Sequence, residues 1–190
     1  MNKKKWTIKD ILRVTSDYLE EKDIDSPRLC AEVLLAHLLN TTRVKLYLAY
    51  DRPLNDSELV QYRSLIKRRL NREPLQYITG IQEFWSMEFT VGVQALIPRP
   101  ETELLVEHIV SIFADQDPPD GKGLAILDLG TGSGAIGISI AKELKSSTVW
   151  ASDLSKKALD LARLNAHKLG VIDRINFVQG DMFHPFTRCG

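Results

Sequence analysis

The chain lacks several features that would assign it to a specialised class of protein. Its 190 residues include two cysteines, Cys30 and Cys189, which predict neither a metal site nor a disulfide framework. No stretch approaches the run of about eighteen apolar residues that spans a membrane. The N-terminus has no apolar secretory core. These absences favour a cytoplasmic protein that binds neither a metal ion nor a membrane.

The chain has no net charge, but its charged residues are unevenly distributed. Residues 1–72 carry fifteen Lys and Arg against ten Asp and Glu, and the rest of the chain has the opposite excess. The basic residues are densest over 63–72, where they could face a nucleic acid, an acidic protein or solvent. No aromatic residue interleaves with these charges, which favours a solvent-exposed helix face.

The first part of the chain has the periodicity of amphipathic helices. Thr7 with Asp10, and Asn55 with Glu58, have the spacing of helix-capping boxes. Apolar residues three and four positions apart follow each pair and predict a buried helix face. We therefore expect residues 1–72 to form a small helical bundle that serves as a substrate-recognition domain.

The pattern changes after the helical region. Strand-forming residues over 77–91 predict a β-hairpin that turns near Ser86, within a linker over 73–100. The remaining region, 101–190, begins with a helix and then alternates strand, helix, strand, helix, strand. This alternation predicts a parallel sheet with right-handed crossovers, the doubly wound, Rossmann-like α/β fold.

A glycine-rich turn connects the first of these strands to its helix. The turn consists of Gly130, Thr131, Gly132, Ser133 and Gly134. Glycine adopts backbone angles that are closed to other residues and lets a ligand lie against the main chain. The helix that follows offers unpaired N–H groups at its first turn. The turn therefore predicts a nucleotide-binding loop.

Two cofactors fit this loop. Residues 132–137 match the dinucleotide fingerprint Gly-x-Gly-x-x-Gly. Asp153, which ends the next strand, could bind the ribose of NAD or of S-adenosylmethionine. Asp128 favours S-adenosylmethionine, because a carboxylate repels phosphates and attracts the cationic amino group of a methionine moiety. Asp128 could also cap N–H groups of the turn itself, which is compatible with either ligand.

Four further segments of the sequence are distinctive. They are Pro-Leu-Gln-Tyr-Ile-Thr-Gly over 74–80, Glu-Phe-Trp over 83–85, Leu-Ile-Pro-Arg-Pro-Glu-Thr-Glu over 96–103, and Asp-Leu-Gly-Thr-Gly-Ser-Gly over 128–134. Together they resemble the HemK/PrmC family, and the resemblance extends over nearly the whole chain. This resemblance implies an S-adenosylmethionine-dependent N5-glutamine methyltransferase of peptide chain release factors, acting in translation termination. It also implies that the helical domain docks the release factor.

The resemblance assigns roles to the predicted cofactor residues. Residues 130–134 would hold the methionine part of S-adenosylmethionine, and Asp153 would bind the ribose hydroxyls. Asp181 would accept a hydrogen bond from the adenine amino group. Met182 would cover a face of the adenine ring, at a position where family members often have an aromatic residue. A polarizable thioether can also pack there.

Two further residues lie in the family's signature over 97–103. The resemblance implies that Arg99 and Thr102 lie near the cofactor. The residue types also allow a structural alternative, in which Arg99 pairs with an acid and fixes the hairpin to the sheet.

One family motif is missing from these residues. Asn-Pro-Pro-Tyr, which the family uses to hold the glutamine amide, does not occur in the sequence, so no catalytic residue is predicted. The chain ends soon after the third predicted strand, and we expect a truncated protein with little or no activity.

Other functions stay open beside the methyltransferase. They are an NAD-dependent oxidoreductase, a non-catalytic release-factor-binding module and a methyltransferase acting on adenine. The last would need a base-reading domain, and nothing in the sequence resembles one. We expect no direct nucleic-acid binding, and a monomer when the protein is full length.

Overall fold

A computed structural model of the chain describes residues 5–113 and 123–187, so Cys189 lies outside the described residues. The chain divides into two compact units, Met1–Thr79 and Gly80–Gly190. Each unit has its own secondary structure and its own buried residues. Among the residues described, no helix is both long and apolar enough to span a membrane.

The first unit is the predicted helical bundle. Its helices are α1 (Ile8–Glu20), α2 (Pro27–Leu38), α3 (Arg43–Leu48), α4 (Asp56–Leu70) and α5 (Leu75–Thr79). Helix α2 lies at the centre and packs against the other four. The core of this unit consists mainly of leucine and isoleucine side chains that are fully buried. Burial of these apolar faces is the main force that holds short helices together.

Two of these helices begin at the predicted capping boxes. The Thr7 hydroxyl accepts a hydrogen bond from the Asp10 N–H at 3.2 Å, and the Asp10 carboxylate reaches back to Thr7. At the start of α4, the Asn55 side chain accepts from the Glu58 N–H at 2.8 Å, with the reciprocal bond at 2.9 Å. Both predictions are confirmed, and each box satisfies N–H groups that a helix end would otherwise leave unpaired.

Residues 77–79 were predicted as the start of the hairpin, and this prediction is wrong because they lie in α5. The N–H groups of Tyr77 and Ile78 both donate to the Pro74 carbonyl at 3.1 Å. The Ile78 side chain is buried in the core of the first unit. At the end of the helix, the Arg68 guanidinium donates to the Tyr77 carbonyl at 3.3 Å. Packing in the first unit therefore outweighs the β-propensity of these residues.

The second unit begins with the predicted hairpin. Strands β1 (Ile81–Phe84) and β2 (Met87–Thr90) are antiparallel and are joined by Trp85 and Ser86. Both turn residues have a φ of +53°. Positive φ at both central positions is typical of the type I′ turn that suits a two-residue hairpin. A short 3₁₀ turn then leads into α6 (Glu103–Phe113).

The rest of the second unit has the predicted parallel α/β architecture. Its elements are β3 (Ala125–Leu129), α7 (Ala135–Glu143), β4 (Thr148–Asp153), α8 (Lys156–Lys168) and β5 (Ile175–Gln179). The strands are parallel, with β4 between β3 and β5. Each helix forms the crossover between two neighbouring strands, so the three strands end at the same edge of the sheet. The fold prediction is confirmed.

Candidate cofactor site

The glycine turn follows β3 and ends at Gly134, immediately before the first residue of α7. Gly130, Gly132 and Gly134 have φ angles of +72°, +58° and +85°, a region that disfavours other residues. A Cβ added at Gly130 would project into open space, whereas one at Gly134 would lie 2.6 Å from Ile138 Cδ1. Gly130 therefore presents bare main chain to a ligand, and Gly134 allows close packing inside the domain.

Asp153, at the end of the neighbouring strand β4, forms a hydrogen bond to the glycine turn. Its Oδ2 accepts the Gly132 N–H at 3.0 Å, and its Oδ1 accepts the Ser155 N–H at 2.8 Å. The Thr131 N–H donates to the Ser152 carbonyl at 2.8 Å beside it. A carboxylate has about four lone-pair positions, so two remain for ligand hydroxyls. Asp153 therefore fits the predicted ribose-binding role while also fixing the loop.

Asp128 is buried beneath the same turn. Its Oδ2 accepts the Thr131 hydroxyl at 2.7 Å and the Gly137 N–H at 3.1 Å. Burial raises the pKa of Asp128, these two hydrogen bonds oppose that rise, and the negative charge of Asp153 adds to it. Asp128 thus accepts one N–H group in the first turn of α7 and the Thr131 hydroxyl of the glycine turn. The N–H groups of Thr131, Gly132 and Gly134 pair elsewhere, so the alternative interpretation, in which Asp128 caps N–H groups of the turn itself, is wrong.

Gly137 is needed for this arrangement. A Cβ at Gly137 would lie 2.9 Å from Asp128 Oδ2 and 3.1 Å from Val149 Cγ1. The missing side chain lets α7 approach β4 closely and brings the Gly137 N–H within reach of the carboxylate. The last glycine of the Gly-x-Gly-x-x-Gly pattern therefore serves helix–sheet packing.

The residues predicted to bind adenine follow β5. The Gly180 N–H donates to the Asp153 carbonyl at 3.1 Å, which brings this loop beside the predicted ribose site. The Asp181 side chain is exposed, and the Met182 side chain is 59% exposed. Both side chains are accessible at the carboxyl edge of the sheet, on the side where Asp153 ends β4.

Arg99 and Thr102 lie at the 3₁₀ turn before α6, where the Arg99 carbonyl accepts the Thr102 N–H at 3.0 Å. Within residues 5–113 and 123–187, no hydrogen bond or ion pair joins either side chain to the glycine turn or to an acid. The hairpin is held by Trp85 instead. Its N–H donates to Glu103 at 2.8 Å and its indole Nε1–H donates to Glu143 at 2.7 Å. The alternative prediction, in which Arg99 fixes the hairpin, is therefore wrong.

One residue that contacts the turn was not predicted from the sequence. The side chain of Asn165, on α8, is fully buried and donates to the Ser133 carbonyl at 2.9 Å. The available signal was a polar residue inside the apolar stripe of α8, since a buried amide must find partners. The sequence could not show that the partner would be the glycine turn, thirty-two residues away.

Two families match this chain, one on each side of the hairpin. Residues 10–80 match the PrmC N-terminal domain, and residues 120–188 match a methyltransferase domain. The first match covers most of the helical unit, and the second covers the parallel sheet with the glycine turn. Together the two matches indicate a helical domain followed by a methyltransferase domain.

Curated relatives are similar over nearly the whole chain. Three proteins named release factor glutamine methyltransferase are 44% identical over 178 residues (Chlorobaculum tepidum), 41% over 180 (Geobacter sulfurreducens) and 39% over 184 (Bacillus subtilis). The alignments cover 94%, 95% and 97% of this chain but only 60%, 60% and 62% of the relatives. The chain therefore spans about three-fifths of their length.

Among solved structures, the chain is similar to an RNA methyltransferase from Salinibacter ruber in complex with S-adenosyl-L-homocysteine. The identity is 27%, over 46% of this chain and 52% of that one, with a TM-score of 0.37.

The resemblance to the HemK/PrmC family that the sequence predicts is confirmed by the match to the PrmC N-terminal domain and by the relatives named release factor glutamine methyltransferase. The prediction of S-adenosylmethionine as cofactor agrees with the methyltransferase domain that matches residues 120–188.

Proposed function

We propose that the second unit binds S-adenosylmethionine at the turn over 130–134. The observation that carries this proposal is the position of Asp128, whose carboxylate already accepts the Gly137 N–H in the first turn of α7. Dinucleotide-binding proteins use such N–H groups to hold a pyrophosphate. A second anion beside Asp128 would be repelled, whereas the ammonium group of a methionine moiety would be attracted.

Each predicted residue would contribute a different interaction. Asp128 supplies negative charge near the methionine amino group, and the main chain around Gly130 lies against the methionine part. Asp153 accepts hydrogen bonds from the ribose hydroxyls through its two remaining lone-pair positions. Asp181 accepts from the adenine amino group, and Met182 packs on the ring. When bound, S-adenosylmethionine supplies an electrophilic methyl group on a cationic sulfur.

We further propose that the whole protein transfers this methyl group to the side-chain amide of the glutamine in the Gly-Gly-Gln loop of a release factor. Identities of 39–44% to enzymes named for that reaction support the proposal. An amide nitrogen is a weak nucleophile, so positioning has to supply much of the rate. Since Asn-Pro-Pro-Tyr is absent from these residues, we propose that they transfer little or no methyl by themselves.

The helical unit supplies a candidate docking surface for the release factor. A groove of about 420 Å³ runs between α1 and α4, with apolar side chains and two basic ones along it. The lining of the groove includes Ile11, Val14, Tyr18, Arg63, Ile66 and Lys67. Apolar contact with a cationic border suits an acidic amphipathic helix of the substrate protein.

The basic residues over 63–72 have two different environments, one paired within the helical unit and the other along the groove. Arg68 pairs with Glu73 at 2.5 Å, and Arg72 donates to the Asp23 carbonyl at 2.5 Å, so both are used inside the unit. The side chains of Arg63 and Lys67 form no hydrogen bond or ion pair in the described part of the chain, and both line the groove. We therefore propose Arg63 and Lys67 as the cationic contacts to a release factor.

A chimeric protein tests the proposed reaction. Residues 1–190 are joined to the segment of the Chlorobaculum tepidum relative that follows the aligned region, and the product is incubated with labelled S-adenosylmethionine and a bacterial release factor. We expect label on the Gly-Gly-Gln glutamine with the chimera and little with residues 1–190 alone. Label that persists after Gln→Ala in that loop would contradict the proposed substrate. Rapid turnover by residues 1–190 alone would contradict the proposed inactivity.

A second candidate function is a module that binds a release factor without catalysis. Its support is that the helical unit is compact by itself and matches the PrmC N-terminal domain over residues 10–80. In that case residues 1–190 bind the release factor with an affinity that does not depend on the cofactor. A chimera that binds both ligands but transfers no methyl would favour this function.

A further inference from the structure

The Asn165 carboxamide forms hydrogen bonds to two separate elements. Its Nδ2 donates to the Ser133 carbonyl and to the Thr90 carbonyl, both at 2.9 Å. Its Oδ1 accepts the Thr90 N–H at 2.8 Å. Both amide protons and the carbonyl oxygen of the side chain are thereby used. Since Asn165 is fully buried, water cannot replace these bonds.

The bonds to Thr90 have the pattern of a sheet. Thr90 is the last residue of β2, and its N–H and carbonyl both pair with the one carboxamide. Asn165 thus takes the place that a neighbouring strand would have beside β2. This fixes the point at which the chain leaves the hairpin.

The chain that leaves the hairpin returns to the glycine turn. Five residues after Thr90, the Ala95 Cβ lies 3.7 Å from the position that a Cβ would have at Gly132. Ala95, at the end of this segment, is therefore close to the glycine turn. Asn165 holds this segment at its start and holds the turn at the Ser133 carbonyl.

We propose that Asn165 is a positioning residue for cofactor binding. By joining the end of β2 to the glycine turn, it sets the backbone of residues 130–134 in the conformation that receives the methionine part of the ligand. It acts through Ser133 and Thr90 and does not touch the ligand. This inference rests on the proposed function, since it takes the turn as the cofactor site. Binding to a preformed loop avoids the entropy cost of ordering it.

The conservative substitution Asn165→Asp changes the hydrogen bonds of the side chain while keeping its size, so the two effects can be told apart. A carboxylate has nearly the same shape but offers no N–H, so it would face the two carbonyls that now accept from Nδ2. Asn165→Ser is the second variant, since it removes the bonds without adding charge. Lys168→Met is the first control, because Lys168, on the same helix, donates to the Thr90 hydroxyl and leaves the backbone bonds of Thr90 to Asn165 in place.

Ser139→Ala supplies a second control. Ser139 is also fully buried, and its hydroxyl donates to the Ala135 carbonyl within α7. Its loss removes a buried hydrogen bond without touching Ser133 or Thr90. If Asn165 had a merely structural role, Ser139→Ala and the Asn165 variants would lower the affinity for S-adenosylhomocysteine equally when their losses of stability are equal.

Affinity for S-adenosylhomocysteine is measured by calorimetry on the full chain, well below the unfolding midpoint of each variant. We expect both Asn165 variants to bind at least about tenfold more weakly, with both controls within about twofold of the parent. Amide hydrogen exchange without ligand should rise over 130–134 in the Asn165 variants only. Parent-like affinity in either folded Asn165 variant would overturn the proposal. Unchanged exchange at the turn would also overturn it, even if the parent chain binds no cofactor.

Discussion

The carboxylate of Asp128, near the end of β3, lies beneath the first turn of α7. It accepts the Gly137 N–H at 3.1 Å and the Thr131 hydroxyl at 2.7 Å. These hydrogen bonds hold the glycine turn against the start of α7, and we propose that the buried negative charge also disfavours anionic ligands. The glycine pattern alone does not distinguish a dinucleotide from S-adenosylmethionine, so the choice between them depends on this proposal.

Replacing Asp128 tests the electrostatic part of the site. Asp128→Asn keeps an oxygen that can accept the same hydrogen bonds but removes the charge, so we expect S-adenosylhomocysteine affinity to fall about tenfold or more. Asp160→Asn, which changes an exposed residue paired with Arg163, is the matched control. Calorimetric titration of the two variants at pH 7 makes the comparison. Equal affinities would refute a role for the charge.

The same residue predicts a pH dependence. Burial raises the pKa of Asp128, so on acidification its carboxyl gains a proton before an ordinary aspartate does. We expect the affinity for S-adenosylhomocysteine to fall as the pH drops through that raised pKa, because protonation removes the attraction for the ligand's ammonium group. In Asp128→Asn this part of the pH profile should vanish. A variant that keeps the parent profile would assign the acid dependence to another group.

A comparison of two glycines in the second unit distinguishes the stability cost of backbone strain from that of overpacking. Gly80 and Gly134 have φ angles of +76° and +85°, but a Cβ meets nothing within 4 Å at Gly80 and lies 2.6 Å from Ile138 Cδ1 at Gly134. Gly80→Ala should cost about 1–2 kcal/mol from the backbone alone. Gly134→Ala should cost a further amount of about 1–3 kcal/mol from overpacking. Urea unfolding measures both, and equal costs would contradict the packing role of Gly134.

At the scale of elements, the helical unit depends on a buried carboxylate. Glu32 is 1% exposed and accepts hydrogen bonds from Arg28, Arg43 and Tyr47. Arg43 and Tyr47 belong to α3 and Glu32 to α2, so this one side chain fixes the short helix α3 to the centre of the bundle. Such a short helix has little stability of its own and needs these contacts.

Glu32 also predicts how the first unit responds to acid. Burial raises the pKa of Glu32, but the hydrogen bonds from Tyr47, Arg43 and Arg28 lower it more, and the pKa lies below its usual range. A lowered pKa in the folded state means stability that is present above the ordinary glutamate pKa and is lost as the pH falls through the lowered value. Glu32→Gln should cost about 1–3 kcal/mol at pH 7.

The measurement is urea unfolding of the full chain across pH, followed by far-ultraviolet circular dichroism. As the pH falls, the free energy of unfolding of the helical unit should decrease less steeply in Glu32→Gln than in the parent chain. Glu20→Gln, an exposed glutamate on α1, serves as the control. The account is contradicted if the free energy of unfolding falls equally steeply with decreasing pH in Glu32→Gln and in the control.

Local signals explain why some elements could be predicted from the sequence and others could not. The capping boxes at Thr7 and Asn55 involve partners three residues away, so the sequence contains the whole interaction. Helix α5 was misassigned because burial of Ile78 in the bundle decides its conformation. Asn165 was missed because its partner Thr90 lies 75 residues earlier, and no local pattern records that distance.

In the candidate site too, some features could be predicted from the sequence pattern and others could not. The strand order places Asp153 beside the glycine turn, and this followed from the alternation of strands and helices. The family resemblance, and not the pattern, assigned roles to Asp181 and Met182. Arg99 and Thr102 stay predictions as near-site residues, because no described contact joins them to the turn.

At the scale of the whole molecule, we propose a separate function for each of the two units. The helical unit has the cationic groove with Arg63 and Lys67, and the second unit has the glycine turn. Binding of a release factor and binding of the cofactor should therefore be lost independently by substitution. The chain spans only about 60% of its curated relatives, and the reaction that joins the two functions is proposed for the whole protein.

Charge reversal in the groove tests this separation. In the double variant Arg63→Glu and Lys67→Glu we expect release-factor binding to weaken by about tenfold or more, because two attractive contacts become repulsive. The cofactor affinity should stay unchanged. Lys9→Glu with Lys45→Glu applies the same change of charge at exposed positions outside the groove. Equal losses in both double variants, measured by biolayer interferometry, would indicate a nonspecific charge effect.

The central claim is that the turn over 130–134 binds S-adenosylmethionine and not a dinucleotide. Calorimetric titration of the 190-residue chain with S-adenosylhomocysteine and, in parallel, with NADH tests it most directly. The account predicts saturable binding of S-adenosylhomocysteine that Asp153→Asn weakens, and no measurable heat of binding with NADH. Tighter binding of NADH than of S-adenosylhomocysteine would contradict it.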